Sequence, residues 1–269
     1  MSAAGFDLYV PGDSWLHRVD ARVKMAFVVG ALALLLVWSN LALFVVALGL
    51  IHLALMSAGV PGARLARVWR TLAPFLLLIV LLWPLFNRGG TPVLLEAGPL
   101  RITGRALLGG VAAALRIAAL SFVFVLWLST TDQRQIVRGF VRLGLPFGLG
   151  MALTIGLRFI PTFAGVFQTV SDAQQARGLV LIGGALRRAR AMIPILIAAL
   201  VTVLRLSEQL GWTLEARAFG APVPRTTLHD LAMRPVDWLL LVLVAGGAGV
   251  LLWLSLTAGL GRGLLWPVV

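Results

Sequence analysis

Five apolar runs, separated by short polar or basic stretches, dominate the hydrophobic pattern of the chain and predict membrane-spanning helices. The first two, at 25–38 and 41–57, are short, and the polar pair Ser39–Asn40 between them predicts a helical hairpin. The remaining three runs are 72–86, 106–128 and 236–256. The pattern therefore predicts an all-α integral membrane protein with about five membrane-crossing helices.

The region 131–235 is also hydrophobic, but arginines and prolines interrupt it repeatedly. Apolar residues recur at helical spacing in two long segments, at about 151–176 and 186–216, with polar residues on the other faces. Such two-sided helices suit a membrane interface or a groove between partners better than immersion in lipid. We therefore expect long amphipathic helices that form a separate cytoplasmic or interfacial domain.

This reading divides the chain into four parts. They are a cytoplasmic N-terminal segment at 1–24, four transmembrane helices within 25–130, the amphipathic domain at 131–235, and the last transmembrane helix with its tail at 236–269. Two connections stand out within the second part. A basic loop is expected at 63–70, and a loop rich in glycine and proline is expected at 87–103.

Composition and charge agree with a membrane protein. Hydrophobic residues make up 60% of the chain and the mean hydropathy is +0.98, while the absence of cysteine excludes disulfides and thiolate metal sites. The net charge of +13 is a topology signal, because eighteen of the 23 basic residues precede the first run, follow the second, or lie within 131–235. These regions are then cytoplasmic. The protein is expected to cross the cell inner membrane several times, with its N-terminus inside and its C-terminus outside, and nucleic acid is not an expected partner.

Candidate binding chemistry lies in two short motifs, Ala176-Arg177-Gly178 and Ala216-Arg217-Ala218. Each places an arginine at the C-terminus of a predicted amphipathic helix, where the helix dipole favours a cation. A guanidinium is always charged and can bind a carboxylate through two hydrogen bonds, which suits contact with another protein. The alternative is that these arginines only reach toward lipid headgroups.

Several chemistries lack the residues that they need. The chain has a single lysine, Lys24, which is not in a phosphate-binding glycine-rich loop, so we expect no ATP site and no other cofactor in this chain. The histidines are scattered, no catalytic pair of acids is evident, and we expect neither a bound metal nor catalytic residues. Two alternatives remain open: a permease that binds substrate along its own path, and, with less support, an intramembrane enzyme.

Five stretches, taken in order, resemble the transmembrane T components of energy-coupling factor transporters, the EcfT/CbiQ/BioN family. The matching stretches are HRVDARVK at 17–24, GPLRIT at 98–103, LRFIP at 157–161, ARG at 176–178 and EARAFG at 215–220. In the last of these, Ala218 stands where the family usually has glycine. The resemblance covers nearly the whole chain.

The resemblance implies a function. T components are scaffold subunits of ATP-binding-cassette importers for vitamins and transition-metal ions, and they join a substrate-capturing S component in the membrane to two cytoplasmic ATPases. By position, Arg177 and Arg217 would each enter a groove on one ATPase and contact acidic residues there. The amphipathic region 131–235 would be the coupling domain, ATP would be bound by the partners, and this chain would not be an enzyme.

The resemblance also suggests where the S component binds. The apolar faces of the two coupling helices would receive it, although such faces are equally typical of ordinary helix packing. The candidate contacts are Phe159, Phe163, Val166, Phe167, Val170, Leu196, Leu200 and Val203. Arg116, within the fourth run, must contact protein or a polar cavity, and the sequence leaves open whether its partner is internal or the S component.

Overall fold

The computed structural model describes residues 9–87, 93–97, 100–180, 182, 184–219, 233–261 and 263. Within these residues the chain forms nine helices and one two-stranded sheet. The helices are α1 (Trp15–Arg18), α2 (Ala21–Val37), α3 (Leu41–Ser57), α4 (Gly62–Phe86), α5 (Gly104–Thr130), α6 (Gln133–Arg142), α7 (Phe147–Ala176), α8 (Ala185–Ala216) and α9 (Pro235–Thr257). The strands β1 (Val93–Ala97) and β2 (Leu100–Thr103) pair antiparallel. Residues 98, 99 and 220 of the family-like motifs lie outside the described residues.

Polar side chains cap the starts of three helices. The Asp20 carboxylate accepts a hydrogen bond from the Arg22 amide at the start of α2, and the Asn40 side chain accepts one from the Ala42 amide at the start of α3. Asp132 caps α6 in the same way. These caps satisfy amides that the first helical turn leaves without a partner. The cap at Asn40 confirms the predicted turn at Ser39–Asn40.

The chain divides into a larger unit, Asp7–Gly144 with Leu231–Val269, and a smaller unit that contains α7 and α8. In the larger unit α2 and α9 run parallel, because Asp20 contacts Asp237 at their starts and Trp38 contacts Ser255 at their ends. Helix α5 runs antiparallel to α2, since the Lys24 ammonium at the start of α2 donates to the Thr130 carbonyl at the end of α5.

Contacts of α5 with α3 and α4 complete this arrangement. The Arg116 guanidinium lies 5.2 Å from the centre of the Phe44 ring, and the His52 and Phe122 rings are 4.4 Å apart, so α3 and α5 run parallel. Helix α4 is antiparallel to α5. A side chain at Gly110, early in α5, would come within 3.3 Å of the Val80 backbone, late in α4, so glycine allows this close approach. Helices α2, α3, α4, α5 and α9 therefore alternate in direction along the chain.

The core of the larger unit lies where α3 and α5 meet. Phe44, Leu55, Phe122 and Val123 are fully buried there, and Ala119 fills the remaining space on α5. The outer sides of α4 and α9 expose many large apolar side chains instead, including Phe75 and Trp253. Exposed apolar surface of this extent is expected of helices that face lipid or membrane partners.

The smaller unit consists of α7 packed against α8. The Phe147 ring, in the first turn of α7, lies 6.2 Å from the Phe219 ring, which follows the end of α8. The two helices are therefore antiparallel. Helix α7 continues through Pro161 and α8 through Pro194. Few side chains are buried in this pair; Ile195 and Ala199 on α8 are among them.

The structure corrects two details of the sequence prediction. The expected loop at 63–70 is helical and forms the first turns of α4, and the expected loop at 87–103 contains the β1–β2 hairpin. Among the described residues, the five helices long and apolar enough to cross a membrane are α4, α5, α7, α8 and α9. The criterion is length and composition alone, and it includes α7 and α8 of the predicted amphipathic domain, so which helices cross the membrane stays a prediction. Helices α2 and α3 have 17 residues each, about 26 Å, which is shorter than a hydrocarbon core of about 30 Å.

Candidate functional site

The first candidate arginine, Arg177, occupies the C-cap of α7. The Gly178 amide donates to the Gln175 carbonyl at 2.9 Å, and the Leu179 amide donates to the Gln174 carbonyl at 3.0 Å. This pair of hydrogen bonds is a Schellman motif, which requires a left-handed residue directly after the cap. Gly178 provides it with φ +90°. Gly178 therefore ends α7.

The second candidate arginine, Arg217, occupies the C-cap of α8 in the same geometry. The Ala218 amide donates to the Glu215 carbonyl at 2.9 Å, and the Phe219 amide donates to the Leu214 carbonyl at 2.9 Å. Ala218 adopts φ +55° and is the one residue other than glycine with positive φ in the described parts of the chain. Replacing the usual glycine by alanine therefore leaves the cap geometry unchanged.

Both arginine side chains are available for binding. Arg177 and Arg217 are exposed, and neither guanidinium has a hydrogen bond or an ion pair within the described residues. Each lies at the negative end of a helix dipole, which stabilises the cation without neutralising it. The two helix ends therefore present equivalent, unneutralised guanidinium groups, each of which can donate hydrogen bonds to a carboxylate of a partner.

The structure separates the two motifs instead of bringing them together. Because α7 and α8 are antiparallel and Phe219 lies beside Phe147, Arg217 is near the start of α7 whereas Arg177 is at its end. The 30 residues of α7 span about 45 Å at 1.5 Å per residue. One compact ligand cannot bridge that distance, so the two arginines form two sites and not one.

The predicted S-component contacts fall into two groups. The α7 residues are half-buried in the smaller unit, and the Phe159 and Phe163 rings are 5.5 Å apart. On α8, Leu196 and Leu200 remain 54% and 59% exposed, because the neighbouring face that carries Ile195 and Ala199 is the buried one. The half-buried α7 group is Phe159, Phe163, Val166, Phe167 and Val170, and Val203 of α8 is half-buried as well. Their contact with an S component stays a prediction.

Arg116 has an internal partner. Its Nη2 group donates to the Trp38 carbonyl and lies 3.4 Å from the Ser39 hydroxyl, at the turn between α2 and α3. The Ser39 amide donates in turn to the Gly261 carbonyl at 2.6 Å, so the same turn also holds the chain that follows α9. Arg116 thus joins α5 to this turn within the larger unit.

One buried acid escaped the sequence analysis. Asp237, in the first turn of α9, is 6% exposed and accepts hydrogen bonds from the Asp20 amide at 3.3 Å and from the Arg234 amide at 3.0 Å. A helix-start signal was available, because Pro235 followed by Asp237 is typical of a first turn. The contact with Asp20, 217 residues away in the chain, could not be read from that signal.

Comparisons with known proteins agree with this architecture. The family model named CbiQ, described as a cobalt transport protein, matches residues 12–228. Several relatives named energy-coupling factor transporter transmembrane protein EcfT align over most of their length. The relative from Listeria innocua serovar 6a is 30% identical over 255 residues, covering 91% of this chain and 96% of the relative. Those from Brevibacillus brevis and Exiguobacterium sibiricum are 31% and 32% identical and cover 83% and 89% of this chain, and 87% and 94% of the relatives. Together with the helical membrane fold and the paired arginine caps, these matches show that the chain belongs to the CbiQ/EcfT family of transmembrane components of energy-coupling factor transporters.

Proposed function

We propose that this chain transmits ATP-driven motion from two cytoplasmic ATPases to a membrane S component, for uptake of a vitamin or a transition-metal ion. The observation that carries the proposal is the equivalence of the two caps. Arg177 and Arg217 end different helices with the same Schellman hydrogen bonds, and both are exposed and unneutralised within the described residues. Two equivalent sites about 45 Å apart suit two copies of similar partners.

Each arginine would bind one ATPase. The guanidinium would enter a groove and form hydrogen bonds with acidic residues, and the rigid cap would pass any movement of the groove to the whole helix. When the ATPases close on ATP, the ends of α7 and α8 would be displaced. This displacement would reach the S component through an apolar surface. The surface consists of the exposed Leu196 and Leu200 on α8 and the half-buried α7 side chains that include Phe163.

Charge placement supports a cytoplasmic position for the ATPase partners. The end of the larger unit that holds the starts of α2, α4 and α9 and the end of α5 also carries Arg18, Arg22, Arg64, Arg67, Arg70, Arg134, Arg138, Arg142 and Arg234. Basic residues concentrate on the cytoplasmic side of membrane proteins. We therefore assign this end to the cytoplasm and the α2–α3 turn to the outside of the cell inner membrane.

Energy must come from the partners. The chain is a transport component and not an enzyme, as the names of its relatives indicate. Its single lysine, Lys24, is buried and donates to the Thr130 carbonyl, so it does not face a nucleotide site. We expect ATP to be bound by the ATPase subunits, and no metal or other cofactor to be required in this chain.

The test is assembly with the ATPase pair and S component encoded in the same genome. In the variant Arg177→Glu/Arg217→Glu, both contacts become repulsive, so the ATPases should no longer co-purify with the chain while the S component is retained. Loss of a bonded interfacial charge commonly costs about 2–5 kcal/mol per site. Arg188→Glu, an equal charge reversal at another exposed position of α8, is the control and should assemble normally. Normal ATPase binding by the double variant would refute the proposal.

A further inference from the structure

The first turn of α2 contacts the segments of the larger unit through which the chain enters and leaves the helix pair α7–α8. The first of these contacts involves Lys24, which is only 7% exposed. Its ammonium group donates a 2.8 Å hydrogen bond to the carbonyl of Thr130, the last residue of α5. This bond fixes the point at which the chain leaves the five alternating helices and continues into α6.

Helix α6 itself rests on the same turn. Gly139 is buried, and a side chain at this position would come within 3.0 Å of the Met25 sulfur and 3.5 Å of the Ala21 β-carbon. Glycine is therefore what lets α6 approach α2. The chain enters the smaller unit directly after this contact, at Leu145.

The return connection is held by Asp20 and Asp237. The Asp237 carboxylate accepts the Asp20 amide with one oxygen and the Arg234 amide with the other, and both acids are buried. This carboxylate thus joins the start of α9 to the start of α2, close in sequence to the point where the chain comes back from the smaller unit.

We propose that the start of α2, residues 20–25, is the fixed anchorage for the two connections that precede α7 and follow α8, and that Lys24 and Asp237 are positioning residues for energy coupling. The inference rests on the proposed function, in which the smaller unit is displaced by the ATPases. A displacement of the smaller unit moves the membrane helices only if the connecting segments are held at fixed positions on those helices. Hydrogen bonds from the start of α2 hold both the end of α5 and the start of α9.

A matched contact lies at the opposite end of the same helix pair. The Trp38 indole N–H donates to the Ser255 hydroxyl at 2.9 Å, which joins the ends of α2 and α9 far from both connections. If the Asp20–Asp237 contact only packs α2 against α9, its loss should affect the smaller unit no more than loss of the Trp38–Ser255 contact does. If it anchors the connections, only the loss at the start of the helices should affect the smaller unit.

The experiment measures the distance between the units in the full complex of this chain, the ATPase pair and the S component. The chain has no cysteine, so spin labels can be placed uniquely at Ser57→Cys in α3 and Ser207→Cys in α8, both exposed positions. Distance distributions are recorded without nucleotide and with Mg-ADP and vanadate. The anchorage variants are Lys24→Met, which keeps the stem but loses the donor, and Asp237→Asn, which replaces one of the two accepting oxygens by an NH2 donor that faces a backbone amide. Ser255→Ala is the control.

In the unmodified complex and in Ser255→Ala we expect a narrow distribution that shifts with nucleotide. In Lys24→Met and Asp237→Asn the distribution should broaden and the shift should be lost, with the ATPases still bound. Unchanged distributions in both anchorage variants would overturn the proposal. So would failure of these variants to assemble, because the contacts would then be needed for the fold itself. Failure of the proposed function would instead appear as ATPase binding that survives Arg177→Glu/Arg217→Glu.

Discussion

At the scale of single residues, the helix caps at Arg177 and Arg217 differ in the residue that follows the arginine. Gly178 adopts φ +90° freely, whereas Ala218 adopts φ +55° with a β-carbon that crowds the backbone. Left-handed backbone costs a residue other than glycine about 1–2 kcal/mol, and the greater freedom of glycine in the unfolded chain offsets about 0.4–1 kcal/mol of this. Strain therefore dominates, and Ala218 is held in place by the two cap hydrogen bonds.

Exchanging these residues should change the stability of the two caps in opposite directions. We expect Gly178→Ala to lower the free energy of unfolding and Ala218→Gly to raise it, each by about 0.5–1 kcal/mol. Gly165→Ala, in the interior of α7 with no atom near its β-carbon position, is the control and should be stabilising, because alanine favours helix. Thermal unfolding of the detergent-solubilised variants measures all three. Stabilisation by Gly178→Ala would contradict the left-handed cap.

At the scale of elements, the antiparallel packing of α7 on α8 sets the distance between Arg177 and Arg217. A parallel pair would place both caps at one end, where a single partner could cover them. The contact of Phe147 with Phe219 instead places the caps at opposite ends, about 45 Å apart along α7. Sites this far apart with no shared contacts are expected to contribute independently to binding.

The independence of the two sites gives a quantitative prediction. The single variants Arg177→Ala and Arg217→Ala should each weaken binding of the ATPase pair, and the fold-changes in Kd should multiply in the double variant, within about 0.5 kcal/mol. Binding of the purified ATPase pair to the chain in nanodiscs measures the four Kd values. Arg190→Ala, another exposed arginine of α8, serves as the control and should bind like the unmodified chain. A double variant no weaker than either single variant would show that the arginines belong to one site.

At the scale of the whole molecule, the larger unit has two chemically different ends. One end carries the starts of α2, α4 and α9, the end of α5 and many arginines, whereas the other carries the α2–α3 turn and the end of α9. The Gly261 carbonyl accepts the Ser39 and Asn40 amides, which ties the chain after α9 to this second end. The alternating helix directions are therefore fixed by contacts, and the charge asymmetry predicts their orientation in the membrane.

Single cysteines test this orientation. A membrane-impermeant maleimide should reach Ser57→Cys, at the end of α3, only from the cytoplasmic side, and Thr257→Cys, at the end of α9, only from the outside. Both positions are exposed, and the unmodified chain provides a control without any cysteine. Labelling of intact cells and of inverted vesicles distinguishes the two sides. Labelling of both positions from the same side would contradict the antiparallel arrangement of α3 and α9.

The sequence by itself determined the features that depend on local chemistry. Apolar runs specify helices and a membrane environment, short polar side chains such as Asp20, Asn40 and Asp132 specify where helices begin, and Arg177 with Gly178 specifies where α7 ends. These features are readable because the residues concerned interact within a few positions along the chain. The same locality explains one error. From the sequence alone the arginines at 63–70 are interpreted as a loop, but α4 includes them because arginine is a good helix former.

Only the tertiary structure decided which distant groups meet. Nothing local predicts that Arg116 reaches the Trp38 carbonyl, that Asp237 accepts the Asp20 amide, or that Lys24 holds the end of α5. Such contacts join residues more than seventy positions apart, and they form because a buried polar group must find a partner once the helices are packed. The separation of Arg177 from Arg217 has the same origin, since it follows from the direction in which α8 packs on α7.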